Sequence, residues 1–327
     1  MKKNPKNPGS LGGEMRMRIN NHCKNLSNHT RSNYLHACKA FDTWRKSVGL
    51  SNKYIREHPR ESVVQWAEYL EISGISQSTI HTMVAGCCCG LGIPSGKICK
   101  HGNAMQKSKS LGNSERSRAA MERESNQEII RFQKMVGGRR NGLARLTGKC
   151  FVYDESNMPC IFFERDKGGK SHKQRLLPEH VEEVKAYFDS VGPNECLFAK
   201  LDKDLDLHGL RAEHARQMYQ YYVNIASTAQ GREHLRQQLW ARYKDPEIGC
   251  KAWLIAQAKG DRARMKKLEY RFGREMADGT YHLRGANRQA ALERGRATKY
   301  DRLAILATST FALSHWRCDT CVKFYML

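Results

Sequence analysis

The chain has 327 residues, which is enough for two domains with separate cores. Lysine and arginine total 56 against 33 aspartate and glutamate residues, a formal net charge of +23 that favours a polyanionic partner, with nucleic acid as the first candidate. No segment approaches the roughly 18 apolar residues of a membrane-spanning helix, and the basic start lacks the apolar stretch of a secretory signal. We therefore expect a soluble, cytoplasmic protein with no membrane partner.

The first 13 residues are rich in lysine, asparagine, proline and glycine, and they are predicted to form a flexible basic arm. Apolar residues then recur at helical spacing in segments near 35–44, 63–70 and 80–87. The sequence Ser-Gln-Ser-Thr before the last of these segments offers hydroxyl N-caps. Residues 14–105 are therefore predicted to form a compact helical domain.

Residues 106–125 are polar and highly charged, and they are predicted to be a linker. The second domain, residues 126–327, begins with helical segments. Two β-like runs follow within 149–164, and a third lies at 172–178. Helix then dominates to the end, including a basic insertion at about 229–300. The predicted fold class is mainly α with a small antiparallel β-sheet.

The chain contains twelve cysteines, but they are scattered through a long, charged sequence without an export signal. Reduced thiols are the simpler interpretation than disulfides. The run 87–89 lies near Cys99 and His101, yet the paired C-x-x-C units of a zinc finger are missing there. Cys318 and Cys321 form a C-x-x-C without a second pair. We predict small buried side chains and no metal site.

Four segments of the second domain carry side chains suited to phosphoryl transfer. Moving a phosphodiester between two oxygens without a metal needs cations at the non-bridging oxygens, a nucleophile, and a proton donor for the leaving alkoxide. In chain order, the segments VGGRRNGLARLTG, DKGGKSHKQR, LHGLRAEH and LSHWRCDTCVKFY supply Arg139, Lys167, His208, Arg211, His315 and Tyr325. This order and these settings resemble the tyrosine recombinase family, in particular the integrases of mobile elements.

The resemblance is specific at several independent points. Arg139 follows a glycine at a predicted helix start, and Lys167 begins a turn between two predicted strands. His208 and Arg211 form an H-x-x-R box, whose spacing places both on one helix face. The sequence LSHWR resembles the family's LGHxR segment and lies shortly before Tyr325.

The resemblance implies a role for each residue that would bind the phosphate or move its protons. Arg139 and Arg211 would clamp the scissile phosphate, because planar guanidinium groups donate two parallel charge-assisted hydrogen bonds. His315 would donate a hydrogen bond to the phosphate. His208 would assist proton transfer from the tyrosine, and Lys167 would protonate the departing 5′ oxygen as general acid.

The resemblance also assigns the nucleophile and the reaction. Tyr325 would attack phosphorus and form a 3′-phosphotyrosyl bond, which a 5′-hydroxyl on another strand can later reverse. No nucleotide, metal or other cofactor is then required. The implied fold is a helical core-binding domain followed by an α+β tyrosine recombinase catalytic domain, which together clamp duplex DNA.

The partners implied by the resemblance are double-stranded DNA and three further copies of the chain, as a homo-tetramer on paired recombination sites. An accessory protein that bends DNA or favours excision is a further candidate. The expected activity is site-specific integration or excision of a mobile element. Two alternatives remain: a type IB topoisomerase-like enzyme that acts as a monomer on one duplex, and a catalytically inactive DNA-binding relative.

Several positions depart from the family pattern or compete with the chosen residues. Gly142 stands where family members commonly have an acidic residue, whose absence could weaken the positioning of Arg139. Arg140 competes with Arg139 as the first arginine, and Lys170 competes with Lys167 as the hairpin lysine.

The interval between the H-x-x-R box and His315 is much longer than is usual in the family, because it contains the 229–300 insertion. The basic residues Arg232, Arg236, Arg242, Lys266, Lys267, Arg271 and Arg274 lie in this interval. They suggest DNA-backbone or subunit contacts, with a solvated helical face as the equal alternative. His282 and Arg284 also invite assignment to the site, but their H-x-R spacing does not match the box.

Overall fold

The computed structural model describes residues 10–22, 26–96, 98, 114–166 and 169–326. The chain divides into two compact units, residues 1–107 and 108–327. It is mainly helical and carries small antiparallel sheets, in agreement with the predicted fold class. Within the described ranges, the helices are all too short or too polar to cross a membrane.

The N-terminal unit is helical. Its helices are α1 (Leu11–His22), α2 (Asn28–Ser47), α3 (Asn52–Glu57), α4 (Pro59–Ile72) and α5 (Gln77–Leu91). Serine side chains cap α2, α3 and α5 by accepting hydrogen bonds from backbone N–H groups in the first turn. Helix α1 begins inside the predicted arm, because Leu11 is buried in the core of this unit. Residues 1–9 of that arm lie outside the described residues.

The C-terminal unit is also mainly helical. Its helices are α6 (Glu115–Glu122), α7 (Gln127–Val136), α8 (Arg140–Leu143), α9 (Val181–Asp189), α10 (Leu207–Ile225), α11 (Ala229–Lys244), α12 (Lys251–Ala258), α13 (Arg262–Glu275), α14 (Gly285–Glu293), α15 (Arg302–Ala307) and α16 (Cys318–Cys321). Short 3-10 helices lie at Glu124–Asn126, Gly148–Cys150 and Pro178–His180, and π-helical turns at Thr308–Ala312 and Val322–Met326.

Helix α6 lies within the segment predicted to be a linker. It forms a helix because Ala120 is fully buried in the hydrophobic core and Ser114 caps its first turn. The linker prediction was therefore wrong for this part. Residues 106–113 lie outside the described residues.

The predicted strands of the C-terminal unit form a three-stranded antiparallel sheet of β1 (Phe151–Tyr153), β2 (Pro159–Phe163) and β3 (His172–Arg175), in that order. The β2–β3 hairpin connection contains the predicted catalytic lysine. A second sheet pairs β4 (Thr280–His282) with β5 (Lys299–Asp301). These two strands lie in the segment predicted to be helical, so that prediction was wrong for them.

The 229–300 insertion is part of the core of the C-terminal unit. Leu235 and Leu239 of α11 are fully buried, and Tyr243 stacks on Phe272 of α13 with ring centroids 4.1 Å apart. The guanidinium of Arg242 is buried and binds Asp154, which follows β1, at 2.7 Å. The insertion is therefore packed against the sheet and α15 and is not an appended module.

Candidate active site

Arg139 is positioned by a glycine turn between two helices. Helix α7 ends at Gly137, whose φ of 65° is a left-handed conformation that glycine adopts without strain. Arg139 then occupies the N-cap position of α8 and has an extended backbone conformation. Its guanidinium forms a salt bridge with Asp166 and donates a hydrogen bond to the Leu313 carbonyl at 3.3 Å. Its Nη2 also lies 3.4 Å from Nε2 of His315.

The H-x-x-R box lies in the first turns of α10. Asp206 caps this helix by accepting a hydrogen bond from the backbone N–H of Gly209 at 2.9 Å. His208 is exposed and Arg211, one turn later, is 1% exposed. Both approach Tyr325: the His208 and Tyr325 ring centroids are 5.3 Å apart, and Arg211 Nε donates to the phenol oxygen across 3.4 Å.

Arg211 is surrounded by acceptors that fix its orientation. It donates to the carbonyl of Gly137, to Oε1 of Gln174 at 3.1 Å, and to the carbonyl of Leu313 at 3.0 Å. The Leu313 carbonyl thus accepts from both predicted arginines, so the two guanidinium groups converge on one oxygen. Burial and then the charge of Arg139 lower the pKa of Arg211. The site concentrates positive charge in a place shielded from water.

An unusual backbone conformation positions His315. The π-helical turn Thr308–Ala312 ends α15, and the backbone N–H of His315 donates to the carbonyl of Ser309 at 2.8 Å. Between them, Ser314 has a φ of 58°, in the left-handed region that favours glycine. A serine in this conformation stores backbone strain. The turn places the His315 ring centroid 6.4 Å from that of Tyr325.

Tyr325 lies in the second π-helical turn, Val322–Met326, and is 5% exposed. Arg216 of α10 donates to the backbone carbonyl of Tyr325 at 3.2 Å, which holds this turn against α10. Single π-helical turns occur frequently at functional sites. Cys318 and Cys321 of the preceding helix are fully buried, as predicted, and burial raises the pKa of both thiols.

Of the six predicted residues, Arg139, His208, Arg211, His315 and Tyr325 are brought together. Lys167 lies outside the described residues. The competing Lys170 is exposed and lines a cavity that Arg139 and His315 also line.

The other competing residues have different surroundings. Arg140 donates to the backbone carbonyls of Asp202 at 2.7 Å and Leu205 at 2.6 Å, which ties α8 to the loop before α10. His282 and Arg284 are exposed, at and just beyond the end of β4. Neither forms a hydrogen bond or ion pair with any of the described site residues.

Two cavities meet at Arg139. The smaller, about 240 Å³, is also lined by His208 and Arg211. The larger, about 710 Å³, is lined by His315 and by part of the insertion around α12. Cationic side chains of the larger cavity are Arg139, Lys170, Arg242, Lys251 and Arg317, against the single carboxylate of Glu247 among its lining residues. More cationic than anionic side chains therefore line the larger cavity.

Two residues at the site were missed by the sequence reasoning. Asp166 pairs with Arg139, and its position directly before Lys167 was the only signal available. Gln174 of β3 is fully buried, accepts from Arg211 and donates to the carbonyl of Val136. A glutamine in a predicted strand carries no such signal, because its partners are distant in the sequence.

No family model matches the chain, and no curated protein matches it significantly.

Proposed function

We propose that this protein is a tyrosine recombinase of the mobile-element integrase type, which cleaves and rejoins double-stranded DNA through a 3′-phosphotyrosyl bond at Tyr325. The observation that carries the proposal is the convergence of Arg211, His208 and His315 on this one phenol. Arg139 joins the cluster through His315 and through the Leu313 carbonyl that Arg211 also binds. These side chains come from distant parts of the sequence, and each matches the chemistry that its position in the family implies.

The two arginines are suited to a phosphate that lies beside the phenol. Both now donate to the neutral carbonyl of Leu313. A non-bridging phosphate oxygen would accept stronger, charge-assisted hydrogen bonds from the same donors. Arg211 is buried and its charge is repelled by that of the neighbouring Arg139, so an anion between the two guanidinium groups reduces this repulsion. Negative charge that develops on phosphorus oxygens in the transition state would be stabilised in the same way.

Proton transfer would use side chains on two sides of the phosphate. His208 is exposed and lies beside the Tyr325 ring, so it can accept the phenol proton as attack proceeds. The 5′ oxygen leaves on the opposite side of phosphorus in an in-line displacement and needs its own donor. We propose Lys167 for this step, with Lys170 as the competing hairpin lysine.

We propose that the protein acts as a homo-tetramer on two duplex sites, as the resemblance implies, and that the insertion adds DNA contacts through α13. In the insertion, Arg232, Arg236 and Arg242 form ion pairs with Asp278, Asp301, Asp154 and Glu155. The α13 side chains Lys266, Lys267 and Arg271 are exposed, and they form no salt bridge with a described residue. They are therefore the insertion's best candidates for phosphate contacts.

The proposal is tested with nicked suicide duplexes, from which the short cleaved strand diffuses away and leaves the protein trapped. A pool of randomised duplexes is incubated with purified protein in EDTA, and DNA that stays with the denatured protein is sequenced. Wild type and the control Tyr153→Phe, at an exposed tyrosine of β1, should form adducts, and Tyr325→Phe should form none. Absence of an adduct with wild type, or an undiminished adduct with Tyr325→Phe, contradicts the proposal.

A second assay separates recombination from topoisomerase activity. Two differently labelled duplexes that carry the selected site are incubated with wild-type protein. Joining of one label to the other supports recombination. Cleavage and resealing confined to each duplex would support the type IB alternative.

A further inference from the structure

The site contains a buried carboxylate that the family pattern does not supply at this place. Asp166 lies in the β2–β3 hairpin, its side chain is 2% exposed, and it forms a salt bridge with Nη1 of Arg139. The Arg139 side chain is 21% exposed. An ionised carboxylate is buried at high cost unless it is paired, so this pairing holds the arginine firmly.

The hairpin backbone fixes Asp166 independently of the arginine. Its N–H donates to the carbonyl of Lys170 at 2.9 Å, and its own carbonyl accepts from the N–H of Gly169 at 2.8 Å. Nearby His172 stacks on Phe163, and its Nδ1 lies 3.9 Å from the Asp166 carboxylate. Burial and the surrounding arginine charges lower the pKa of His172 well below its usual value, so this imidazole stays neutral. Arg139 is then the cation that Asp166 binds.

The Phe163 ring occupies the space that a side chain at position 142 would need, and the Asp166 carboxylate lies beside that space. A Cβ built on Gly142 would lie 2.7 Å from Cδ1 of Phe163 and 3.7 Å from Oδ1 of Asp166. No side chain fits at Gly142 without displacement of the phenyl ring. Helix α8 lacks the acidic residue that family members commonly have at position 142. The β2–β3 hairpin supplies the Asp166 carboxylate close to the same place.

The salt bridge leaves the other guanidinium nitrogen directed at the reaction site. While Nη1 of Arg139 binds Asp166, Nη2 faces the Leu313 carbonyl and His315. Nη2 of Arg211 binds the same carbonyl. Asp166 therefore fixes the orientation of the Arg139 guanidinium toward the Leu313 carbonyl, the oxygen that both arginines bind.

We propose that Asp166 is a positioning residue: it holds Arg139 in the orientation that binds the scissile phosphate, and it replaces the family's acidic residue at position 142. This inference rests on the proposed function. It also identifies a reason why Gly142 need not make the protein inactive.

The test is a double-mutant cycle in single-turnover cleavage of a nicked duplex carrying the selected site. Asp166→Asn keeps the side chain's size and removes its charge, and should slow cleavage about 100-fold, the cost expected when a catalytic group is misplaced by about 1 Å. DNA affinity should change less than about threefold, because one phosphate contact among many is affected. Asp166→Glu should restore part of the rate and remain slower than wild type.

The decisive comparison is made in the Arg139→Ala background. If Asp166 acts through Arg139, Asp166→Asn adds no further loss there. A wild-type rate for Asp166→Asn, or its full loss repeated in Arg139→Ala, overturns the inference. If Asp166→Asn does not fold, the same cycle is run with Asp166→Glu, which should lose rate in the wild-type background and none in Arg139→Ala. Cleavage by wild type is measured in the same series, so a failure of the proposed function appears separately as a wild type that does not cleave.

Discussion

Arg211 donates a hydrogen bond from Nε to the phenol oxygen of Tyr325 across 3.4 Å, although the two residues are 114 positions apart in the sequence. The Arg211 guanidinium also lies 5.5 Å from the centroid of the tyrosine ring. This contact orients the phenol oxygen of the proposed nucleophile, and a guanidinium group is also suited to bind a phosphate oxygen. The same guanidinium can therefore serve both the nucleophile and the phosphate.

Arg211→Lys is expected to slow DNA cleavage by about 100- to 1000-fold, since a single ammonium does not reproduce the guanidinium geometry and one oxyanion-binding donor is worth about 3–4 kcal/mol. Arg140→Lys is the matched control, because Arg140 also donates to two backbone carbonyls but faces the loop before α10. Single-turnover cleavage of a nicked duplex measures both. Equal losses of cleavage rate in Arg211→Lys and Arg140→Lys would argue against a role for Arg211 in the proposed chemistry.

The general acid is identified with a substrate whose leaving oxygen is replaced by sulfur. A thiolate leaves without protonation, so a 5′-bridging phosphorothiolate removes the need for the acid. Lys167→Ala is expected to cleave the normal substrate at least about 100-fold more slowly than wild type and the sulfur substrate at a nearly normal rate. Lys170→Ala, the matched control on the same hairpin, should show no such selective recovery. Recovery by Lys170→Ala alone would assign the role to Lys170.

The left-handed conformation of Ser314 predicts an asymmetric response to substitution. Ser314→Gly should stabilise the fold by up to about 1 kcal/mol, because glycine adopts this conformation without strain. Ser314→Val should destabilise it and reduce cleavage, since a β-branched side chain strongly disfavours positive φ. Thermal unfolding and cleavage rates measure the two effects. Equal stability of the two variants would contradict the conformation of this turn.

Stability should fall in mild acid because of His214. Burial, and then the charge of Arg211, lower the pKa of this histidine to about 3 from 6.5. As pH falls below 6.5, the unfolded chain binds a proton that the folded protein excludes. Stability from this group is present above pH 6.5 and decreases below it, by about 2 kcal/mol at pH 5.

Denaturant unfolding at pH 7 and pH 5 tests this expectation for wild type and His214→Gln. The variant should lose about 2 kcal/mol less than wild type between the two pH values, whatever its absolute stability. His180→Gln, at a partly exposed histidine, serves as the control and should keep the wild-type difference. An identical pH dependence in wild type and His214→Gln would argue against a neutral buried His214.

The α13 contribution to DNA binding is tested through salt dependence. Deletion of the insertion is unsuitable, because Leu235, Leu239 and Phe272 belong to the core. The double variant Lys266→Gln/Lys267→Gln should instead reduce the slope of log affinity against log salt by up to about 1.8. Arg131→Gln/Lys185→Gln, at two ion-paired cations, is the matched control. Equal slopes for the α13 double variant and wild type would show that these lysines make no phosphate contacts and that α13 is a solvated helical face.

The sequence was most informative where local pattern determines structure. Hydroxyl caps and helical periodicity predicted α2, α4 and α5, and alternation between turn residues predicted β1, β2 and β3. Local motifs also selected five described side chains that meet in the structure, because each motif sits at a helix start or turn that orients its side chain. Their mutual distances still required coordinates.

Other features depend on tertiary contacts and could not be predicted. Helix α6 looked like a linker, since its sequence is polar and the burial of Ala120 depends on contacts with the rest of the C-terminal unit. Strands β4 and β5 have three residues each, which is too short for a periodic pattern. Helix α14 separates them in the sequence, so no hairpin turn indicates their pairing. Asp166 was overlooked because its partner Arg139 lies 27 positions away in the sequence, and a place beside the predicted Lys167 gives no sign of burial.

The most direct test of the central claim is the chemical identity of the bond that traps DNA. The denatured adduct is digested with protease and nuclease, and the peptide that carries nucleotide is sequenced by mass spectrometry. The proposed mechanism predicts a deoxynucleotide joined through its 3′-phosphate to Tyr325, together with a free 5′-hydroxyl on the departing strand. A nucleotide joined to another residue, or a 5′-phosphate link, would contradict it.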